Sequence, residues 1–316
     1  MHSNAPIVLI ADPLAPEAEQ ALGNETEIRR VAGSRRAELL KAVRDADALI
    51  VRSSTEVDAQ VIDAAPKLKV IGRAGVGVDN IDVEAAGRRG IVVANTPTAN
   101  IHSACEHTIA LLLAAARRIP AANASTHAGA WERSRFQGTE IYGKTLGIVG
   151  FGRVGQLVAE RMAAFGADVI AYDPHPNQEA AERLGVEFSG LEALVARADF
   201  VTVHVPKTPE TQMLFDAALL HSAKPGQILV NTSRGGVVDE AALAEVLRDG
   251  PLAAAGIDVF AQEPPQDSPL LGLDNVVLTP HLGAQTREAQ ARAGVDVARA
   301  VLCALRGEPV PGAIGG

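Results

Sequence analysis

The stretch KTLGIVGFGRVGQLVAERMAAFGADVIAYD, Lys144 to Asp173, decides the fold. Leu146 to Val149 is an apolar run of strand length that leads into Gly150. Gly150-Phe151-Gly152-Arg153-Val154-Gly155 follows without a break. Leu157, Val158, Met162 and Phe165 then recur on one face of a helix. A second apolar run, Val169 to Tyr172, ends in Asp173. Strand, Gly-rich turn, helix, strand and acid make the βαβ unit of a dinucleotide-binding fold. Gly150 permits the tight turn, Gly152 lets the backbone approach a pyrophosphate, and Gly155 lets helix and strand pack closely. The helix start offers unpaired N–H groups and a partial positive charge to phosphates. Asp173 is suited to accept hydrogen bonds from ribose hydroxyls. Its carboxylate would repel a 2′-phosphate and no Arg directly follows it, so the expected cofactor is NAD rather than NADP. The six-residue motif alone is weak, because a Gly-rich turn need bind nothing. Its context is what makes the reading specific.

On both sides of this unit, short apolar runs alternate with helical patterns. Before it, strands are expected at Ile7 to Ala11, Ile28 to Val31, Ala48 to Arg52, Val70 to Arg73 and Ile91 to Ala94. Helices are expected at Pro13 to Leu22, Arg35 to Arg44, Val57 to Ala65, Val83 to Arg88 and Ser103 to Arg118. After it come strands at Phe200 to Val205, Gln227 to Asn231, Ala253 to Val259 and Val276 to Thr279. Helices are expected at Leu191 to Ala198, from Leu214 to Leu220, at Glu240 to Arg248 and at Thr286 to Leu305. Such alternation predicts an α/β protein with parallel sheets covered by helices on both faces. The long helix after Asn95-Thr96-Pro97 is read as the passage from a first domain to a second. The final helix carries an amphipathic face of its own, and periodicity leaves open which domain it joins. The Gly/Pro-rich tail, Val310 to Gly316, is expected to fray.

A chain of 316 residues is long enough for one large or two medium domains. Its net charge of −9 argues against non-specific binding of nucleic acid or of acidic membranes. No 18-residue apolar run and no secretory pattern occurs. Cys105 and Cys303 lie in helical patterns and read as buried free thiols, which suits the cytoplasm. Neither C-x-x-C nor H-E-x-x-H spacing is found, so no metal site is expected.

Arg234, Glu263 and His281 each follow a strand of the dinucleotide-binding domain. Parallel strands share one carboxyl edge, the edge that also carries Gly150 to Gly155, so these three are candidates to converge beside a nicotinamide. The trio suits hydride transfer from a 2-hydroxy acid. His281 takes the hydroxyl proton, Glu263 orients the imidazole and favours imidazolium, and Arg234 forks onto the substrate carboxylate. Alone, each has an ordinary explanation: a capping Arg, a solvated turn Glu, a structural His. Three such residues after three strands of one sheet make coincidence a poor account. His204, also at a strand end and next but one to Pro206, is expected to line the cofactor pocket or to pack. Arg52, Arg73 and Arg133 form a basic set suited to a substrate with phosphate and carboxylate, with structural salt bridges as the alternative.

These residues stand in longer segments. They include Ile50-Val51-Arg52-Ser53, Gly72-Arg73-Ala74-Gly75-Val76-Gly77-Val78-Asp79-Asn80, Asn95-Thr96-Pro97 and Trp131-Glu132-Arg133. Farther on come Asn231-Thr232-Ser233-Arg234-Gly235-Gly236-Val237-Val238-Asp239-Glu240, Asp258-Val259-Phe260, Glu263-Pro264-Pro265 and Pro280-His281-Leu282-Gly283-Ala284. With Gly150 to Gly155 they span nearly the whole chain, in order. On them the sequence resembles the D-isomer-specific 2-hydroxyacid dehydrogenases. Gln285 stands where a Ser is common after Gly-Ala, and Val76 where Thr is also seen; neither touches the chemistry.

The resemblance implies two Rossmann-like, doubly wound parallel-sheet domains, the substrate domain discontinuous. Residues 1–98 and 284–316 would form that domain and 99–283 the NAD-binding domain, with a cleft closing between them. It implies the catalytic trio Arg234, Glu263 and His281. It puts cofactor contacts on Val76, Gly150, Gly152, Arg153, Val154, Gly155, Asp173, His204, Val205, Thr232, Ser233, Arg234, Asp258, His281, Gly283 and Ala284. It puts substrate contacts on Arg52, Arg73, the Val76-Gly77 backbone, Asn100 and, from a neighbouring subunit, Arg133. A homodimer joined through the nucleotide domain is implied, with a tetramer as the alternative. The expected activity is NAD-dependent oxidation of a phosphorylated D-2-hydroxy acid. The competing readings are a glyoxylate or hydroxypyruvate reductase of the same family and a non-enzymatic, NAD-sensing corepressor. Longer members of the branch carry C-terminal regulatory domains that bind serine. This chain stops at Gly316, so a short form or a truncation is expected, without serine feedback through such domains.

Overall fold

A computed structural model describes residues 5–314, which divide into two compact units. One runs up to Asn100 and resumes at Ala284; the other is Ile101–Gly283. The first holds strands β1 (Ile7–Ile10), β2 (Glu27–Arg30), β3 (Ala48–Val51), β4 (Val70–Arg73), β5 (Val92–Ala94) and β13 (Ala313–Ile314). Their order across the sheet is β13-β5-β4-β3-β1-β2, parallel except at β13. The second holds β6 (Thr145–Val149), β7 (Asp168–Tyr172), β8 (Glu187–Phe188), β9 (Phe200–Val203), β10 (Gln227–Asn231), β11 (Leu252–Ile257) and β12 (Val276–Leu278). They are arranged β12-β11-β10-β9-β6-β7-β8 and are all parallel.

Burial explains why these runs are strands. Every residue of β3 (ALIV), β9 (FVTV) and β10 (QILVN) is buried. Continuous apolar runs of this kind mark parallel strands covered on both faces. In the second unit, helices Ile101–Ala116 and Arg153–Ala164 cover one face, with Leu112, Val158 and Met162 packed beside Leu146 and Ile148. Phe215, Leu243 and Val246 pack with Val201 and Leu229 on the other. In the first unit the C-terminal helix Arg287–Arg306 sets Val297 and Val301 among Ile10, Ile50 and Val70. It packs beside helix Pro16–Leu22, where a Cβ at Gly294 would lie 2.8 Å from that of Ala18. The final helix thus belongs to the first unit, a question that amphipathic periodicity left open.

Several elements differ from the sequence expectation. The helix expected from Leu214 starts at Ala217. Phe215 instead bridges to Val238, and Asp216 caps the helix by accepting from the Leu219 N–H at 2.8 Å. Helix Ile119–His127 was not anticipated: none of its residues is buried, so it has no apolar stripe to detect. The tail does not fray as far as Ile314. Gly312 turns at φ +71°, and Ala313 and Ile314 pair antiparallel with Ala94 and Val93. Of the two thiols, Cys105 is buried and Cys303 only partly so.

Thr286 caps the C-terminal helix by accepting from the Ala289 N–H at 3.1 Å. Thr286→Ala should therefore lower unfolding free energy by about 1 kcal/mol in urea titrations, and Thr286→Asp should retain it. Equal stability of the Ala variant and wild type would show that the cap contributes nothing.

Candidate functional site

The second sheet reverses its strand order between β6 and β9, and a crevice for a ligand forms beyond the carboxyl ends at such a point. Gly150 follows β6 there with φ +96°, a conformation L side chains rarely adopt, and a Cβ on it would lie 2.6 Å from the His204 carbonyl oxygen. No atom would lie within 4 Å of a Cβ at Gly152, so the backbone is open to an incoming group. At Gly155 a Cβ would meet the Gly150 carbonyl oxygen at 2.3 Å, so helix and strand approach as closely as they do only because it is Gly. The Asp173 carboxylate accepts from the Phe151 N–H and the His175 N–H, each at 2.8 Å. Each oxygen keeps a lone pair for a ribose hydroxyl. His204 has a buried Nε2 with no hydrogen-bond partner, and burial pushes its pKa down to about 4, so it stands neutral at neutral pH. An open Gly edge, an acid with spare acceptor capacity and an orphaned buried ring nitrogen fit a dinucleotide.

The three chemistry candidates follow β10, β11 and β12 on the same edge. His281 Nδ1 lies 2.8 Å from Glu263 Oε2 and 3.1 Å from Oε1. Burial raises the Glu263 pKa, but the hydrogen bonds from His281 and from the Phe260 N–H outweigh it and hold the carboxyl below its ordinary value. Arg234 is half-buried, and its Nη1 donates to the Ser233 carbonyl at 2.7 Å. Its loop abuts the Glu263 loop directly: a Cβ on Gly235 would fall 1.7 Å from the Phe260 carbonyl oxygen. Glu240 accepts from the Ala261 N–H at 2.6 Å and steadies the same loop.

His281 has φ +56°, in the left-handed region. It is held there by neighbours. Its N–H donates to the carbonyls of Asp258 (2.9 Å) and Thr279 (3.0 Å). The next two N–H groups, Leu282 and Gly283, donate to the Asp258 carboxylate at 2.7 and 2.9 Å. Asp258 is fully buried. Its burial raises the pKa, yet the bonds from His107, Thr279 and Leu282 prevail and keep it low. The resemblance puts Asp258 among the cofactor contacts; the structure gives its carboxylate to the turn carrying His281. Thr232 and Ser233 lie after β10, the Ser233 hydroxyl donating to Asn231 Oδ1 at 2.8 Å; Arg153 starts the helix that follows the Gly150 turn, and Val205 lies beside that turn in space, its Cγ1 3.1 Å from a Cβ placed on Gly150.

The first unit's candidates also lie beyond strand ends. Arg52 follows β3 and Arg73 ends β4; Val76 and Gly77 follow in the next loop, and Asn100 lies beyond β5. Asp12, unremarked in sequence, accepts from the Arg52 N–H (2.6 Å) and from the Thr55 hydroxyl (2.9 Å). Asn80 donates to the Arg52 carbonyl at 2.8 Å. Arg133 is exposed in the second unit. A cavity of about 540 Å³ opens at the opposite edge of the second sheet, among Ile228, Ala253 and Val276, and Arg234, Glu263 and His281 are not among the residues that line it. Among the described residues no group of three or more His, Cys, Asp or Glu is arranged to hold a metal ion, and no helix is long and apolar enough to cross a membrane.

Fold and site together define a dinucleotide-binding α/β protein with a hydrogen-bonded His–Glu pair at the carboxyl edge of its sheet. The chain belongs to the D-isomer specific 2-hydroxyacid dehydrogenase family, whose NAD-binding domain matches residues 109–283. It is 60% identical over 309 residues to D-3-phosphoglycerate dehydrogenase of Mycobacterium tuberculosis, an alignment covering 98% of this chain and 58% of that protein. The chain thus spans a little under three-fifths of the length of that curated relative. Among solved structures it is similar to the TT0316 protein of Thermus thermophilus, with TM-score 0.90 and 40% identity, over 98% of this chain and all of that one. It is also similar to D-lactate dehydrogenase of Aquifex aeolicus, solved with NAD and lactic acid. There the TM-score is 0.85 and identity 26%, over 96% of each chain.

Asp258 and Glu263 are both held below their ordinary values in the folded chain. Their contribution to stability is therefore full above the unfolded carboxylate range, about pH 4, and is lost as pH falls through the lower folded values. Asp258→Asn should be less stable than wild type at pH 7, with the gap narrowing as pH drops below about 4. Parallel stability curves from pH 7 to 3 in equilibrium unfolding would contradict this assignment.

Proposed function

We propose that this chain oxidises D-3-phosphoglycerate to 3-phosphohydroxypyruvate with NAD, the step that opens serine synthesis. The observation that carries the reading is the 2.8 Å contact between His281 Nδ1 and Glu263 at the strand edge bearing the Gly150 turn. With Nδ1–H committed to Glu263, Nε2 is the atom that takes the proton from the substrate hydroxyl. As that O–H bond breaks, the hydroxyl carbon gives up its hydrogen as hydride, the carbonyl forms, and His281 holds the proton as imidazolium beside Glu263. In reverse, the imidazolium returns it. Bound NAD supplies the hydride acceptor. Arg234 is the candidate partner for the substrate carboxylate, with two parallel N–H donors. Arg52, Arg73 and Arg133 are the candidates for the phosphate, and the likeness to phosphoglycerate dehydrogenases supports a phosphorylated substrate.

We also read the chain as a homodimer joined through its dinucleotide-binding unit, where Ile119, Trp131 and Tyr142 stand 52%, 81% and 78% exposed. The cytoplasm is the compartment we assign, in keeping with two free thiols.

Steady-state assays over a panel of D-2-hydroxy acids test the substrate. kcat/KM for D-3-phosphoglycerate should exceed that for D-glycerate and D-lactate by about tenfold or more for each charge-assisted hydrogen bond that the phosphate makes. Equal or better kcat/KM with an unphosphorylated acid would overturn the assignment. His281→Asn should lower kcat by about 10²- to 10⁴-fold with NADH affinity nearly unchanged. An active variant would remove His281 from its role.

A further inference from the structure

We propose that His107, on a helix remote in sequence from the site, is a positioning residue that holds His281 in place through Asp258. The inference deepens the proposed reaction and rests on that reading for its kinetic arm. His107 Nε2 lies 3.1 Å from Asp258 Oδ1 and 3.0 Å from Thr279 Oγ1. The Thr279 hydroxyl donates its proton to the same Asp258 oxygen at 2.6 Å. Its oxygen is then free only to accept, so His107 Nε2 is the donor to both. The chain of contacts continues without a gap. Asp258 Oδ1 accepts from Leu282 N–H and Oδ2 from Gly283 N–H, the two amides that follow His281.

Two features make this chain of contacts matter. Asp258 is fully buried, and a buried carboxylate must have its oxygens satisfied or be destabilised. His281 is a non-Gly residue with left-handed backbone, a conformation that persists only where the surroundings over-determine it. Without His107, Oδ1 keeps only the Thr279 hydroxyl and the Leu282 amide, and the Thr279 oxygen gives up the N–H it accepts. The carboxylate is then freer to turn from the two amides. The same helical turn reaches a third strand end: Thr108 gives its proton to the Ala104 carbonyl at 2.8 Å, leaving its oxygen to accept from Thr232 at 2.6 Å. His107 and Thr108 therefore brace the ends of β10, β11 and β12 from one helix.

The test compares His107→Ala with His107→Gln, whose Nε2 places an N–H donor at similar reach. Both are first checked by thermal unfolding. Amide hydrogen exchange, which needs no substrate, should rise about tenfold at Leu282 and Gly283 in the Ala variant, the size expected for one charge-assisted hydrogen bond. It should return toward wild type in the Gln variant. With the best hydroxy acid of the panel, His107→Ala should lose about 10²-fold in kcat, as for a misplaced reacting group, with NADH affinity unchanged. Unchanged exchange at Leu282 and Gly283 in the Ala variant, or a uniform rise across residues 101–283, would overturn the proposal. If the Ala variant does not fold, raised exchange at these two amides in a folded Gln variant overturns it and wild-type exchange supports it. A wild type that turns over no hydroxy acid defeats the proposed function, while the exchange result still decides the role of His107.

Discussion

The candidate site depends on one buried carboxylate. Asp258 follows β11 and accepts from the two amides after His281, which follows β12. Two neighbouring strand ends are thereby tied into one rigid turn. The His281 ring is then aimed by its own contact with Glu263, which the Phe260 amide steadies in turn. A carboxylate bonded on both oxygens has little freedom to move, and reacting groups must be held to within a fraction of an ångström for proton transfer to be efficient.

That clamp works because of how the sheet is wound. In a parallel sheet every strand delivers its carboxyl end to the same edge, so residues more than a hundred positions apart meet there. Gly150 after β6, Arg234 after β10, Glu263 after β11 and His281 after β12 share that edge. Close backbone approach completes the arrangement. Gly235 lies so near the Phe260 carbonyl that a side chain would hold the two loops apart, and Gly155 does the same service between helix and strand.

Much of this was legible in the sequence. Continuous apolar runs such as ALIV and FVTV marked the buried parallel strands, and Gly150 to Gly155 with Asp173 marked the cofactor fold, because both signals are local. The pairing of Glu263 with His281 was legible only as a consequence of strand ends sharing an edge. His107 was not legible. It is one more polar residue on a helix, and nothing in its neighbourhood records that its partners lie 151 and 172 positions away. Asp12 beneath Arg52 escaped notice for the same reason. The late start of the helix at Ala217 reflects a tertiary override: Phe215 bridges to Val238 instead of entering a helical turn. The pairing of Ala313 and Ile314 with β5 was hidden by a tail whose Gly and Pro content signals looseness.

In the reaction proposed for this edge, the hydroxyl-bearing carbon of a D-2-hydroxy acid gives hydride to NAD while His281 takes the hydroxyl proton. The most direct measurement is isotopic. The chain is given NAD and a D-3-phosphoglycerate deuterated at that carbon, and the NADH formed is weighed by mass spectrometry. Direct transfer puts one deuterium in each NADH molecule. NADH carrying only protium, or deuterium released to water, would contradict it.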